Sequence, residues 1–160
     1  REIRDGQGDH VLILFNAVGC VINGMTHEYH PKDKNKLTKG LPKTYGEFIF
    51  GEPVHSIGTT FCLWTAADGK WQIGEVGDYD DGSEESLKIF DGNPQTYINW
   101  AKDYYEDDFI INNNTTRVVS DIYNGQKLTK EMILSISDKV DDWVQLKNDL
   151  IEIDYPFQLT

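Results

Sequence analysis

The stretch TTFCLWTAADGKWQIGEV, residues 59–76, decides how the chain folds. Two runs rich in β-forming residues flank Asp68-Gly69, and Asp-Gly supplies the positive φ angles that tight hairpin turns need. On the first arm Cys62 and Trp64 share one face, while Phe61 and Leu63 share the other. Trp71 and Ile73 add apolar bulk on the return arm. Strands that are apolar on both faces are covered on both, so the pattern predicts a hairpin central in a sheet.

Upstream, Val11–Phe15 and Cys20–Asn23 read as two further strands. Asn16, Asn23 and the small residues interrupt the apolar run Val11–Met25, which falls short of the roughly 20 apolar residues of a membrane-spanning helix. Glu2, Asp5 and Asp9 outweigh Arg1 and Arg4 ahead of it, which fits a secretory signal poorly. AVGC, ending at Cys20, resembles a lipoprotein cleavage site but lacks the cationic start and the longer apolar stretch such signals carry.

Downstream, the period changes to helical. Ser83 with Glu84 and Glu85 opens a helix that Asp91-Gly92 stops, and Asn93-Pro94 opens the next as cap and first helical residue. Tyr97, Trp100, Ala101 and Tyr104 follow at helical spacing. Val118, Val119, Ile122 and Tyr123 precede the C-capping pair Asn124-Gly125, although their β-branching leaves a strand open. Thr129 starts a helix through Met132, Ile133 and Ile136. Trp143, Leu146, Leu150 and Ile153 mark a last one before Pro156. The expected fold is α+β, an N-terminal antiparallel β-sheet with a central hairpin followed by several packed C-terminal helices. One domain over 1–160 is expected, β-rich over 10–76, helical and acidic over 83–153, with no internal repeat.

Charge sharpens that division. The net charge is −12, and residues 77–160 carry 18 Asp/Glu against 7 Lys/Arg, whereas residues 1–76 are near balance at 9 against 8. Such a surface repels phosphate backbones and anionic lipid, excluding nucleic acid and membrane as natural partners, and it attracts a basic protein. The lysine-rich PKDKNKLTKGLPK, residues 31–43, lacks arginine and interleaved aromatics and reads as a solvated loop. Two cysteines, Cys20 and Cys62, set in apolar strands, read as reduced, buried hydrophobes and point to a cytoplasmic location.

GCVINGMTHE (19–28), TTFCLW (59–64) with Trp71, DGSEESLKIFDGNPQTYINWAKDYY (81–105) and LTKEMI (128–133) with LIEIDYP (150–156) resemble one family of small bacterial proteins. Its members carry a Gly-Cys strand, a His-Glu pair, a Phe-Cys-Leu-Trp hairpin and an aromatic helix in this order. The resemblance covers residues 19–30, 59–105 and 122–156. It implies a single bacterial, cytoplasmic-type domain and brings no established activity, hence no catalytic residue.

Three constellations bear on chemistry. His27, Glu28 and His30 are candidate metal ligands, but their histidines stand three apart rather than the four that a helical zinc motif needs. Pro31 pushes His30 toward extended geometry, which would put Glu28 and His30 on one face and His27 on the other. Further ligands would then come from His55 or Cys62. DYDDGSEES, residues 78–86, clusters carboxylates around Gly82 in the wrong register for an EF-hand, so turn and capping roles explain it. Tyr97, Trp100, Tyr104 and Tyr105 read first as core packing against the sheet and second as a partner-binding patch rimmed by Asp103, Glu106, Asp107 and Asp108.

No nucleophile elbow, phosphate loop or dinucleotide fingerprint is present in the sequence. The reading is therefore an acidic, non-enzymatic protein-binding or inhibitory (immunity-type) module without a cofactor. The alternatives are a metal-assisted hydrolase using His27, Glu28 and His30, and a structural subunit of a homo-oligomer.

Overall fold

The computed structural model describes residues 2–4, 8–66, 68–138 and 140–159. The fold is α+β, and the chain divides into two units, Arg1–Leu87 and Lys88–Thr160. The boundary falls just after the helix opened by Ser83.

In the first unit, β1 (Glu2–Arg4), β2 (His10–Asn16), β3 (Gly19–Met25), β4 (Phe61–Thr65) and β5 (Trp71–Ile73) form one antiparallel sheet in sequence order. The predicted hairpin pairs Leu63 with Ile73 and Thr65 with Trp71, and Gly69 at its turn has φ +76°. Its central position holds for β4 alone. β5 is the edge strand, and Trp71 and Ile73 are exposed, because no strand follows to cover them.

Alternation along β3 and β4 feeds two cores. Val21, Cys62 and Trp64 meet Leu37, Tyr45 and Ile49 on one face. Val11, Ile13, Cys20, Ile22 and Phe61 cluster on the other, with Leu63 and Leu87 packed against them. Cys20 and Cys62 thus lie in different cores, and both are free thiols. Gly24 stands opposite Phe61, and a Cβ there would come within 1.9 Å of the ring, so only glycine lets the phenyl lie across β3.

Between β3 and β4 the structure departs from the solvated loop expected over 31–43. It forms α1 (Lys34–Leu37), a 3-10 turn (Lys43–Tyr45), α2 (Gly46–Phe50) and α3 (Val54–Ile57). Each places one residue (Leu37, Tyr45, Ile49, Val54) at 1% exposure or less, and the lysines stay mostly outside. Buried Asn23 ties β3 to this segment, donating to Gly58 O at 3.0 Å and accepting from Thr59 Oγ1 at 2.7 Å. The helix α4 (Ser83–Leu87) closes the unit.

The second unit holds α5 (Pro94–Tyr105), α6 (Thr115–Tyr123), α7 (Lys130–Ile136) and α8 (Trp143–Glu152). A short parallel pair joins β6 (Leu128–Thr129) to β7 (Phe157–Gln158). Two of the caps, Asn93 and Thr129, are those read from the sequence, and Asp142 is a third that the structure adds. Asn93, Thr129 and Asp142 accept from backbone N–H groups of the first turns of α5, α7 and α8, each cap worth about 1 kcal/mol. α6 settles the strand alternative as helix, burying Val118 and Val119, with Gly125 at φ +68° beyond its end. Leu128, Ile133 and Leu150 form the core, joined by Leu146, Trp143 and Tyr155. No helix among the described residues is long and apolar enough to cross a membrane.

Candidate functional site

Two places gather chemistry, one in each unit. In the first, β3 ends at Met25 and Tyr29 N donates to Thr26 O at 3.0 Å. Residues 26–29 therefore make a turn, not the extended segment expected from Pro31. Proline restrains only its immediate predecessor, and the turn closes one residue earlier. The expected same-face pair of Glu28 and His30 is replaced by another arrangement. His27 and Glu28 line a cavity of about 400 Å³, and His30 is exposed and outside its lining.

Asp9 holds the turn from β2's side, accepting from the His27 backbone N–H and lying 2.8 Å from His27 Nδ1. Asp80 holds it from the other side. Its Oδ2 accepts from Tyr29 OH at 2.9 Å, and its Oδ1 accepts from Gly82 N at 2.9 Å. The Gly82 N–H, followed by the Tyr29 hydroxyl, keeps the Asp80 carboxyl below its ordinary range, and the same bond raises the Tyr29 phenol. Asp81 accepts from Ser83 N at 2.9 Å, a turn-and-capping role as read from DYDDGSEES. Glu84 and Glu85, on the first turn of α4, complete the acidic wall.

His55 is exposed on α3, while Cys20 and Cys62 are buried on opposite faces of the sheet. Burial pushes the Cys62 thiol up to about 12 and raises Cys20 as well, so neither has the character of a nucleophile. Among the described residues no group of three or more His, Cys, Asp or Glu has a geometry that could hold a metal ion.

The second place is α5. Ile98 and Ala101 centre its buried face, and Trp100 and Tyr104 fall to one flank. Tyr97 and Trp100 are half-buried, whereas Tyr104 and Tyr105 are 49% and 44% exposed. Trp100 stacks on Tyr104 with centroids 4.9 Å apart and planes 16° apart. Tyr105 stands edge-on to both, and Tyr97 reaches Phe109 and Tyr123. Burial and then Tyr104 raise the Tyr105 phenol, so that ring stays neutral near pH 7. A cleft of about 460 Å³ runs beside the stack, lined by Lys88, Thr96, Asn99, Trp100, Asp103 and Tyr104. Asp103 and the 3-10 turn Glu106–Asp108 that follows α5 are exposed.

Sequence reasoning missed Thr26, Asp9 and Asp80 as members of one cavity. They come from separate segments, and only the pairing of β2 with β3 and the return of residues 78–86 bring them together. Comparison with protein-family models, with curated proteins and with solved structures finds no match.

Proposed function

We propose that this protein is an acidic, non-enzymatic protein-binding module of inhibitory type, and that α5 presents its contact face to a basic protein. The observation that carries the reading is the exposed pair of Tyr104, stacked on Trp100, and Tyr105, edge-on to both, with Asp103 beside the stack and the exposed acids Glu106, Asp107 and Asp108 following in the chain. Tyrosine and tryptophan give large contact area at low entropic cost, and nearby acidic side chains steer a cationic partner into place. The charge of −11 over residues 77–160 supports the same partner class. Two free, buried thiols support a reducing, cytoplasmic compartment, and the resemblance to small bacterial proteins supports a bacterial source.

The test is capture from native lysate at low and high salt, repeated with Tyr104→Ala. A basic partner held at low salt, released at high salt and lost in the variant is the expected result. A partner retained by Tyr104→Ala, or insensitive to salt, removes the assignment. Sedimentation at two concentrations separates the homo-oligomer reading, because there the aromatic face would meet a second copy and the mass would rise with concentration.

A further inference from the structure

We propose that β5 is a dimerisation edge, at which the strand pairs antiparallel with β5 of a second copy of this chain about a two-fold axis through Gln72. β5 ends the five-stranded sheet, and all three of its residues are exposed, Trp71 and Ile73 by 52% and 57%. The edge shares no residue with the α5 face and stands on separate observations.

The first observation is the direction of the backbone. Ala66 N donates to Lys70 O at 2.8 Å, and Gly69 N donates to Ala66 O at 2.9 Å, which closes the hairpin on the Ala66–Lys70 pair. Bonded and non-bonded pairs alternate along an antiparallel ladder, so the next bonded pair is Trp64 with Gln72. Trp71 and Ile73 therefore turn their N–H and C=O groups toward the open edge. Among the described residues, no segment outside the sheet bonds to them. The strand is also held in place without a partner. The turn at Gly69 fixes its near end, and Glu75 N, donating to Lys36 O at 2.8 Å, fixes its far end. An extended, anchored strand with free backbone groups is a template for another strand.

Register and charge identify the occupant. In the antiparallel register centred on Gln72, Trp71 faces the second copy's Ile73, and each such pair exchanges two N–H···O bonds. The two-fold axis repeats the exchange, so every outward group of both strands is matched. The side chains then form aromatic–aliphatic cross-strand pairs. Charge selects this direction. Lys70 precedes the strand and Glu75 follows it, with side chains 77% and 54% exposed. Antiparallel pairing sets each Lys70 beside the second copy's Glu75, whereas in-register parallel pairing sets like charges together. So few residues bury less than the about 1,200 Å² of total surface that marks a stable complex, so the pairing is weak and concentration-dependent. It consumes both β5 edges and stops at two chains.

The experiment measures the mass of the full chain by sedimentation equilibrium from about 10 µM to about 1 mM, where mass action populates a weak pair. The mass is expected to rise to two chains and no further. Ile73→Pro removes an outward N–H and leaves the Trp64–Gln72 pair intact, so it should weaken dimerisation at least about tenfold. Lys70→Glu and Glu75→Lys should each weaken it about tenfold, and the two together should restore it to within about threefold of the wild type. That rescue stays decisive even where Ile73→Pro disturbs folding, because a role confined to one chain would not produce it. The proposal is overturned if the chain remains monomeric at the highest concentration, which leaves the edge to a foreign strand. A mass beyond two chains, dimerisation unaltered by Ile73→Pro in a folded protein, or a double exchange as weak as the single ones also overturns it. Tyr104→Ala should dimerise as the wild type does, and a mass rise abolished by that substitution would move the contact to α5 and end the proposal. Capture of the basic partner should survive Lys70→Glu, so the β5 edge and the α5 face stand or fall separately.

Discussion

Both units leave some rings exposed, but their cores use aromatic residues in opposite ways. In the first, Tyr45, Phe61 and Trp64 are exposed by 0%, 2% and 3% and form the centres of two sheet cores. In the second, no described aromatic is fully buried. Trp100, Tyr97 and Phe109 are half-covered, and Tyr104, Tyr105 and Tyr123 are at least 40% exposed. The core there is aliphatic at its centre: Leu128, Ile133 and Leu150, with Val118 and Val119 on α6. Rings that fill a core are tied to stability, and rings left outside a core that closes without them are available for contact with something else.

Trp64→Ala is the strongest way to break that comparison. It opens a cavity against Val21, Leu37, Tyr45 and Ile49, and it should cost about 3–5 kcal/mol in urea unfolding. A loss below about 1 kcal/mol would mean that the first core collapses around the gap, and that its rings are no more structural than those of α5.

The contrast in burial can be read through ionisation too. The Cys62 thiol is pushed from an ordinary 9.0 to about 12 by desolvation, with Lys34 opposing more weakly. The folded value lies above the unfolded one, so the stabilisation is complete below pH 9 and is lost as pH rises toward 12. In that window the unfolded chain has released a proton that the native state retains, and stability falls by up to 1.36 kcal/mol per pH unit. Between pH 8 and 10 the wild type should lose about 1 kcal/mol more than Cys62→Ala, measured as the difference in urea midpoints. Equal losses in the two proteins would show that water reaches Cys62 in the native state.

The parts of the structure legible in the sequence are those where one segment carries its own signal. Val11–Ile13 and Phe61–Trp64 are contiguous apolar runs because both faces of their strands are covered, and α5 and α7 announce themselves through Asn93-Pro94 and Thr129. The helices of residues 34–57 were illegible because four or five residues complete no apolar period. Leu37, Ile49 and Val54 are single buried residues among lysines, glycines and prolines. For the candidate sites, the composition around α5 was readable and the direction of its rings was not. Trp100 and Tyr104 fit the periodic stripe, yet the buried arc is centred on Ile98 and Ala101. The acidic cavity was hidden more deeply. Thr26 is an ordinary threonine until β3 ends, a turn closes behind it and Gly82 arrives 56 positions later to cover it.

Tyr104→Ala is the smallest expected effect on stability, and it sharpens the comparison from the other side. The substitution removes a half-exposed ring whose stacking on Trp100 is worth about 0.5–1.5 kcal/mol, and it places the best helix former in the last turns of α5, recovering part of that loss. The net change should stay within about 1 kcal/mol, well under the cost of Trp64→Ala, with the helical circular-dichroism signal unchanged. A surface ring kept for a partner should combine that small stability change with a large loss of partner binding. A stability cost approaching 3 kcal/mol would place Tyr104 with the core rings of the first unit, and the division between structural and available aromatics would fail at its most exposed member.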